Sequence, residues 1–239
     1  MKKLALLAAG CALSASAMAQ TPTEAPRVSG LRSSTDYAPG TGSDSRNNGF
    51  GIKVGLNSAH VRGDEKKNYG DVGTYKNFHA GAYAQFGFND KFSVQPEILY
   101  TRQGFEGSSA ARNNTGTYFT RLDYVQVPVL LVYNFLDNVS VHVGPQVSLL
   151  TKVREGGQER KIADENDASG NPIYGYSYSS LDYGLAAGLE ARVGPARVGG
   201  RYVAGFNDII KDPTRAGTQA IDNIKNGAFQ VYVGIGISN

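Results

Sequence analysis

Residues 124–149 read YVQVPVLLVYNFLDNVSVHVGPQVSL. In the first half, Val125, Val127, Val129, Leu131, Tyr133 and Phe135 alternate with Tyr124, Gln126, Pro128, Leu130 and Asn134. Leu136-Asp137-Asn138 interrupts the run. The alternation then resumes, with Val139, Val141, Val143, Pro145, Val147 and Leu149 against Ser140, His142, Gly144, Gln146 and Ser148. A period of two puts successive side chains on opposite faces of a strand, whereas a helical face repeats every 3.6 residues. The stretch therefore predicts a tight antiparallel hairpin. Each arm is close to the roughly 9–11 residues that a tilted strand needs to cross a bilayer.

The same period extends to both sides, at 50–58, 78–88, 92–102, 182–193, 197–207 and 229–237. Each run has one apolar face and one small or polar face, and no helical pattern lies between runs. Asn89-Asp90-Lys91, Leu136-Asp137-Asn138 and Gly194-Pro195 are short turns, and 62–77, 103–120, 154–179 and 208–226 are long polar connections. Short and long connections alternate, so the turns gather at one end and the loops at the other. That is the layout of an all-β, eight-stranded antiparallel up-and-down transmembrane β-barrel, with turns and both termini periplasmic and long loops extracellular. Lipid offers the backbone no hydrogen bonds, so only a closed ring of strands satisfies it there.

The polar face must then point inward. It carries Lys53, Asn57, His79, Gln85, Gln95, Glu97, Gln126, His142, Gln146, Asp182, Glu190, Arg192, Arg197 and Arg201. Eight strands enclose a space that side chains can fill, and buried charges need partners. Lys53, Glu97, Gln126, Asp182, Glu190, Arg192, Arg197 and Arg201 are therefore expected to form a structural polar network that plugs the lumen. Phe50, Phe88, Phe92, Tyr133 and Phe135 at the turn end, and Phe78, Tyr100, Tyr183 and Phe206 at the loop end, read as two aromatic girdles.

Upstream, Lys2 and Lys3 precede an apolar stretch too short to span a membrane, followed by Ala17-Met18-Ala19. Residues 1–19 are read as a signal peptide. The rival, lipidation at Cys11, lacks the usual Leu where Ala8 stands. Residues 20–48, rich in Thr, Ser, Pro, Gly and Asn, are read as a flexible periplasmic linker, and 49–239 as the barrel domain.

Composition agrees. Of 239 residues 30 are Gly, about 13% against a usual 7% or so. With 14 Tyr, 10 Phe and a single Cys, the chain is neither disordered nor a disulfide or thiolate scaffold. A net charge of +3, or +1 once two leader lysines are removed, gives no reason to expect a nucleic-acid partner.

Gly51-Ile52-Lys53-Val54-Gly55-Leu56-Asn57-Ser58, Pro96-Glu97-Ile98-Leu99-Tyr100 and Tyr124-Val125-Gln126-Val127-Pro128-Val129-Leu130-Leu131 resemble the PorT-like outer-membrane β-barrel family of Bacteroidota, often labelled porin family protein. The resemblance runs over 49–237. It implies an outer-membrane barrel and little about activity. Gln126 stands where the family usually has Glu. The chain ends Gly236-Ile237-Ser238-Asn239, whereas such barrels often end in an aromatic residue.

Chemistry tested on the residues gives no catalytic, cofactor or metal site. Ser58 and His60 share a face near the loop end of the first strand but read as an edge pair. His79 and His142 face inward. Asp164, Asn166, Asp167 and Asn171 miss Ca²⁺-loop spacing, with Ala168 at a ligand position. Tyr174-Gly175-Tyr176-Ser177-Tyr178 could touch a partner or extend the barrel. The expected function is a non-enzymatic, monomeric outer-membrane barrel contacting lipid, and through its loops an envelope protein or surface glycan. A narrow solute channel and a secreted lipocalin-type binder are the alternatives.

Overall fold

The computed structural model describes residues 47–63, 73–108, 117–163, 165–170, 173, 177–211 and 224–238. The signal peptide, Cys11, most of the linker, Asp164, Asn171 and Tyr174 to Tyr176 lie outside them.

The alternating runs become long strands: β1 (Gly49–Arg62), β2 (Gly73–Gly87), β3 (Phe92–Ser108), β4 (Thr117–Leu136) and β5 (Val139–Glu155). Short β6 (Gln158–Arg160) and β7 (Ser177–Tyr178) follow, then β8 (Leu181–Val193), β9 (Ala196–Asp208), short β10 (Ile210–Lys211) and β11 (Lys225–Ser238). Hydrogen bonding runs β4-β3-β2-β1-β11-β9-β8-β5, and β5 pairs back onto β4. Each pairing is antiparallel, with Gly49 opposite Ser238 on the β1–β11 side. Eight long strands thus close a barrel with no free edge, as the sequence predicts. β7 and β10 pair separately.

Turn chemistry sets the hairpins. Val193 opposes Ala196 across Gly194-Pro195, and Gly194 has φ +59°. The proline ring fixes its own φ near −65°, which with a positive φ before it gives a type II′ turn matched to strand twist. At 88–91, Asn89 Oδ1 accepts the Lys91 and Phe92 amides, each at 2.9 Å. These turns share one barrel end with Gly49 and Ser238.

The outer wall is apolar on all eight long strands: Ile52, Phe86, Ile98, Val129, Val143, Leu185, Val198 and Val233, among others, are exposed. Within this apolar belt the polar residues of those strands are buried inside. This inside-out order excludes the lipocalin arrangement, which needs an apolar cavity. Aromatic pairs sit at both rims of the apolar wall. Phe92 packs on Tyr133 with ring centroids 4.9 Å apart, Phe78 on Tyr100 at 6.1 Å, and Tyr183 on Phe206 at 6.4 Å.

Strand length departs from expectation. The connections predicted at 103–120 and 154–179 contain the ends of β3, β4 and β5 and the whole of β6 and β7. Above the apolar belt the pattern inverts. Outward positions carry Arg102, Arg121, Asp123, Lys152 and Arg154. Arg121 binds Asp123 through Nε at 2.8 Å and Nη2 at 2.6 Å, and Lys152 binds Glu159 at 2.9 Å. That ammonium holds the Glu159 carboxyl below its ordinary range. Inward positions there carry Gln103, Thr120 and Asn226 but are mostly apolar. Val61, Phe105, Leu122, Tyr124, Leu150, Val153, Tyr178, Ile209, Ile210 and Ile224 form one buried cluster, a cap over the loop end of the lumen. Tyr178, read as a candidate contact residue, is 4% exposed within this cap, and its hydroxyl binds Glu155.

Candidate functional site

The candidate site is the lumen, because alternation drives polar side chains of every strand into it. At the turn end Asn47, inside the predicted linker, is buried and donates to the carbonyls of Asn89 (2.9 Å) and Asp90 (2.7 Å). Its Oδ1 accepts Asn134 Nδ2 at 2.5 Å, and Asn48 Oδ1 accepts the Gly87 amide at 2.9 Å. Asn47 and Asn48, inside the predicted linker, are thus tied to the turn end of the barrel ahead of β1.

Deeper in, four strands contribute a charge network. Lys53 of β1 donates to Glu97 Oε1 of β3 at 3.0 Å and to Glu190 Oε2 of β8 at 2.9 Å. Arg201 of β9 donates to Glu97 Oε2 at 2.7 Å and to Gln230 Oε1 of β11 at 2.6 Å. Arg197 of β9 reaches Glu190 Oε1 at 2.9 Å, Gln85 Oε1 at 2.9 Å and Gln95 Oε1 at 3.2 Å. Gln95 Nε2 closes back on Glu97 at 2.7 Å. Both carboxylates thus have each oxygen engaged, as buried ions require.

Of the eight residues expected to plug the lumen, Lys53, Glu97, Glu190, Arg197 and Arg201 meet in this network. Arg192 joins at its edge, 3.9 Å from Glu190 and within 3.5 Å of Gln85 and 3.4 Å of Asn134. Gln126 and Asp182 do not join. Gln126 is buried, with Oε1 unpartnered among the described residues. Asp182 lies toward the cap, where Asn226 Nδ2 and the Asn207 amide bind its carboxylate at 3.1 and 3.3 Å. The shear of the barrel offsets inward positions vertically, so residues on one face need not share a level.

Two tyrosines complete the network and were not singled out from sequence. Lys53 Nζ lies 4.8 Å from the centroid of Tyr83 and 4.4 Å from that of Tyr232, so the ammonium sits between two ring faces. Tyr232 donates to Glu190 at 3.0 Å, and the Arg197 guanidinium covers Tyr83 at 4.5 Å. The signal was present in the glycines. A Cβ at Gly51 or Gly236 would strike the Tyr83 hydroxyl, and one at Gly199 the Tyr232 ring. Inward glycine on one strand marks room for a large ring from its neighbour.

The histidines lie apart, and Ser58 stays beside His60 on the outward face of β1. His60 Nε2 is 3.1 Å from the Tyr202 hydroxyl on the outer wall. His79 Nδ1 meets Asn57 Oδ1 at 2.7 Å in the lumen. Among the described residues no group of three His, Cys, Asp or Glu could hold a metal ion.

Among solved structures, the chain is similar to the attachment invasion locus protein Ail of Yersinia pestis, determined with the heparin analogue sucrose octasulfate. The identity is 16% over 80% of this chain and 99% of that one, with a TM-score of 0.44. It is also similar to Neisserial surface protein A, at 15% identity over 78% and 96% with a TM-score of 0.48. OprG from Pseudomonas aeruginosa matches at 17% over 80% and 97%, with a TM-score of 0.40. No curated protein matches. The model of the outer membrane protein beta-barrel domain matches residues 19–211, most of the chain. An apolar outer wall around a charged, closed lumen is what such a domain requires, and the chain belongs to this family of bacterial outer-membrane barrels.

Proposed function

We propose that the protein is a non-enzymatic, monomeric outer-membrane barrel that does not conduct, and that its work is done at the loop end. One observation carries this reading: the ion-paired chain Arg201–Glu97–Lys53–Glu190–Arg197 crosses the lumen between β1, β3, β8 and β9. Such a strut, with two rings stacked on it, fills the space an eight-stranded barrel leaves. The apolar cap above it supports the same reading. With the lumen occupied, the surface beyond the belt is what remains to meet an envelope protein or a surface glycan. The sequence resemblance to PorT-like barrels favours this kind of envelope role, with turns and termini periplasmic and loops outside.

Single-channel recording of the purified barrel in a planar bilayer tests the blocked lumen. No reproducible steps are expected, and steady steps would promote the narrow-channel reading. Orientation is tested separately on intact cells with a membrane-impermeant thiol label. Ser169→Cys, exposed beyond β6, should react, and Asp90→Cys, exposed in the β2–β3 turn, should not.

A further inference from the structure

The outer wall is not uniformly filled at its loop-end rim. Two cross-strand rows run over β2, β1 and β11. Phe78, Leu56 and Val231 are aligned in one, and Lys76, Ser58 and Phe229 in the next. Ser58 is the smallest outward residue of the six and stands between the two largest of its row. The wall is therefore notched there, leaving a cleft of about 410 Å³ lined by these side chains, within the size range of small-ligand pockets.

The floor of the cleft is apolar, from Leu56, Phe78, Phe229 and Val231, and its upper edge is polar and cationic. Lys76 is exposed and has no hydrogen bond or ion pair among the described residues. The Arg102 guanidinium lies 4.8 Å from the Phe78 ring centroid, on the adjoining strand. It is shared with Asp123 at 3.5 Å, so Lys76 is the cation left to meet an anion.

We propose that this cleft binds one lipid of the surrounding leaflet that carries both a phosphate and acyl chains. The phosphate sits against Lys76, with Arg102 beside it, and one acyl chain lies over Leu56, Phe78, Phe229 and Val231. Charge and polarity are complementary in the right vertical order. Lys76 stands one row nearer the loop end than Phe78, Leu56 and Val231, where the apolar belt gives way to the charged wall, and the apolar floor runs on below it. A water-borne anion would gain nothing from the floor, and a neutral lipid nothing from the lysine. That this leaflet is the outer one rests on the orientation proposed above. The affinity does not, so the two ideas fail separately.

The test uses the full folded barrel in detergent, with native mass spectrometry counting lipid adducts. The probes are lipid A, its dephosphorylated form and inorganic phosphate. Wild type should retain one lipid A and bind the dephosphorylated form about tenfold less. Lys76→Gln should erase that preference, and Ser58→Phe, which fills the notch, should remove retention of both lipids. Heat-dependent gel mobility verifies that each variant is folded. Equal retention by wild type and Ser58→Phe would overturn the cleft as the acyl seat. An unchanged phosphate preference in Lys76→Gln, or displacement of lipid A by millimolar inorganic phosphate alone, would overturn the assignment of the headgroup.

Discussion

Glu97 holds two cations from different strands, Lys53 with one oxygen and Arg201 with the other. Removing it leaves Arg201 without its buried carboxylate and Lys53 with Glu190 alone. Loss of one partner from a buried ion pair costs about 3–5 kcal/mol, and Glu97→Leu is expected to destabilise the barrel by that order in urea titrations in lipid vesicles. Adding Arg201→Met removes a charge of the opposite sign and leaves Lys53, Glu190 and Arg197 paired. The double variant should therefore recover part of the loss. A penalty equal to the sum of the two single variants would mean that the pairs do not act as one network. At this scale the sequence was legible as to which residues face inward, and silent as to which meet. Asp182 and Glu190 lie on one face of β8 toward opposite ends of the strand, and only Glu190 reaches the network; which of them stands level with Lys53 and Glu97 on other strands depends on shear, and alternation says nothing of shear.

The long strands show where legibility stops and why. Alternation with the apolar side outward identifies a strand only while lipid surrounds it. Beyond the belt, water is outside and the cap is inside, so β3, β4 and β5 continue with the pattern reversed and read as polar loops. A bulge compounds this in β5: Leu150 opposes Tyr124 and Lys152 opposes Asp123, leaving Thr151 as the extra residue. One extra residue exchanges faces, so Val153 turns inward to the cap and Lys152 and Arg154 turn outward. The level along β4 is testable with one substitution at two heights on the same outward row. Val129→Arg should cost roughly 2–4 kcal/mol if it lies near the bilayer midplane, whereas Phe119→Arg, beyond the belt, should cost about 0–1 kcal/mol. Folding titrations in vesicles measure both, and equal costs would place the belt wrongly.

Over the whole molecule every long strand has two partners, so detergent has no edge at which to begin separating them. Unboiled and boiled protein should accordingly migrate differently on a detergent gel, and identical migration would count against a closed ring. The seam between β1 and β11 gives that closure a cost in time. Gly49 faces Ser238, so the first long strand to be made waits for the last. Until they meet, the growing sheet has two bare borders that would accept a strand from another chain as readily as from its own. Bringing such distant segments together is slow compared with forming the hairpins between them. The hazardous interval in the life of this protein is thus its transit before sealing, and a delay in delivering β11 should raise aggregation while leaving the sealed barrel as durable as before.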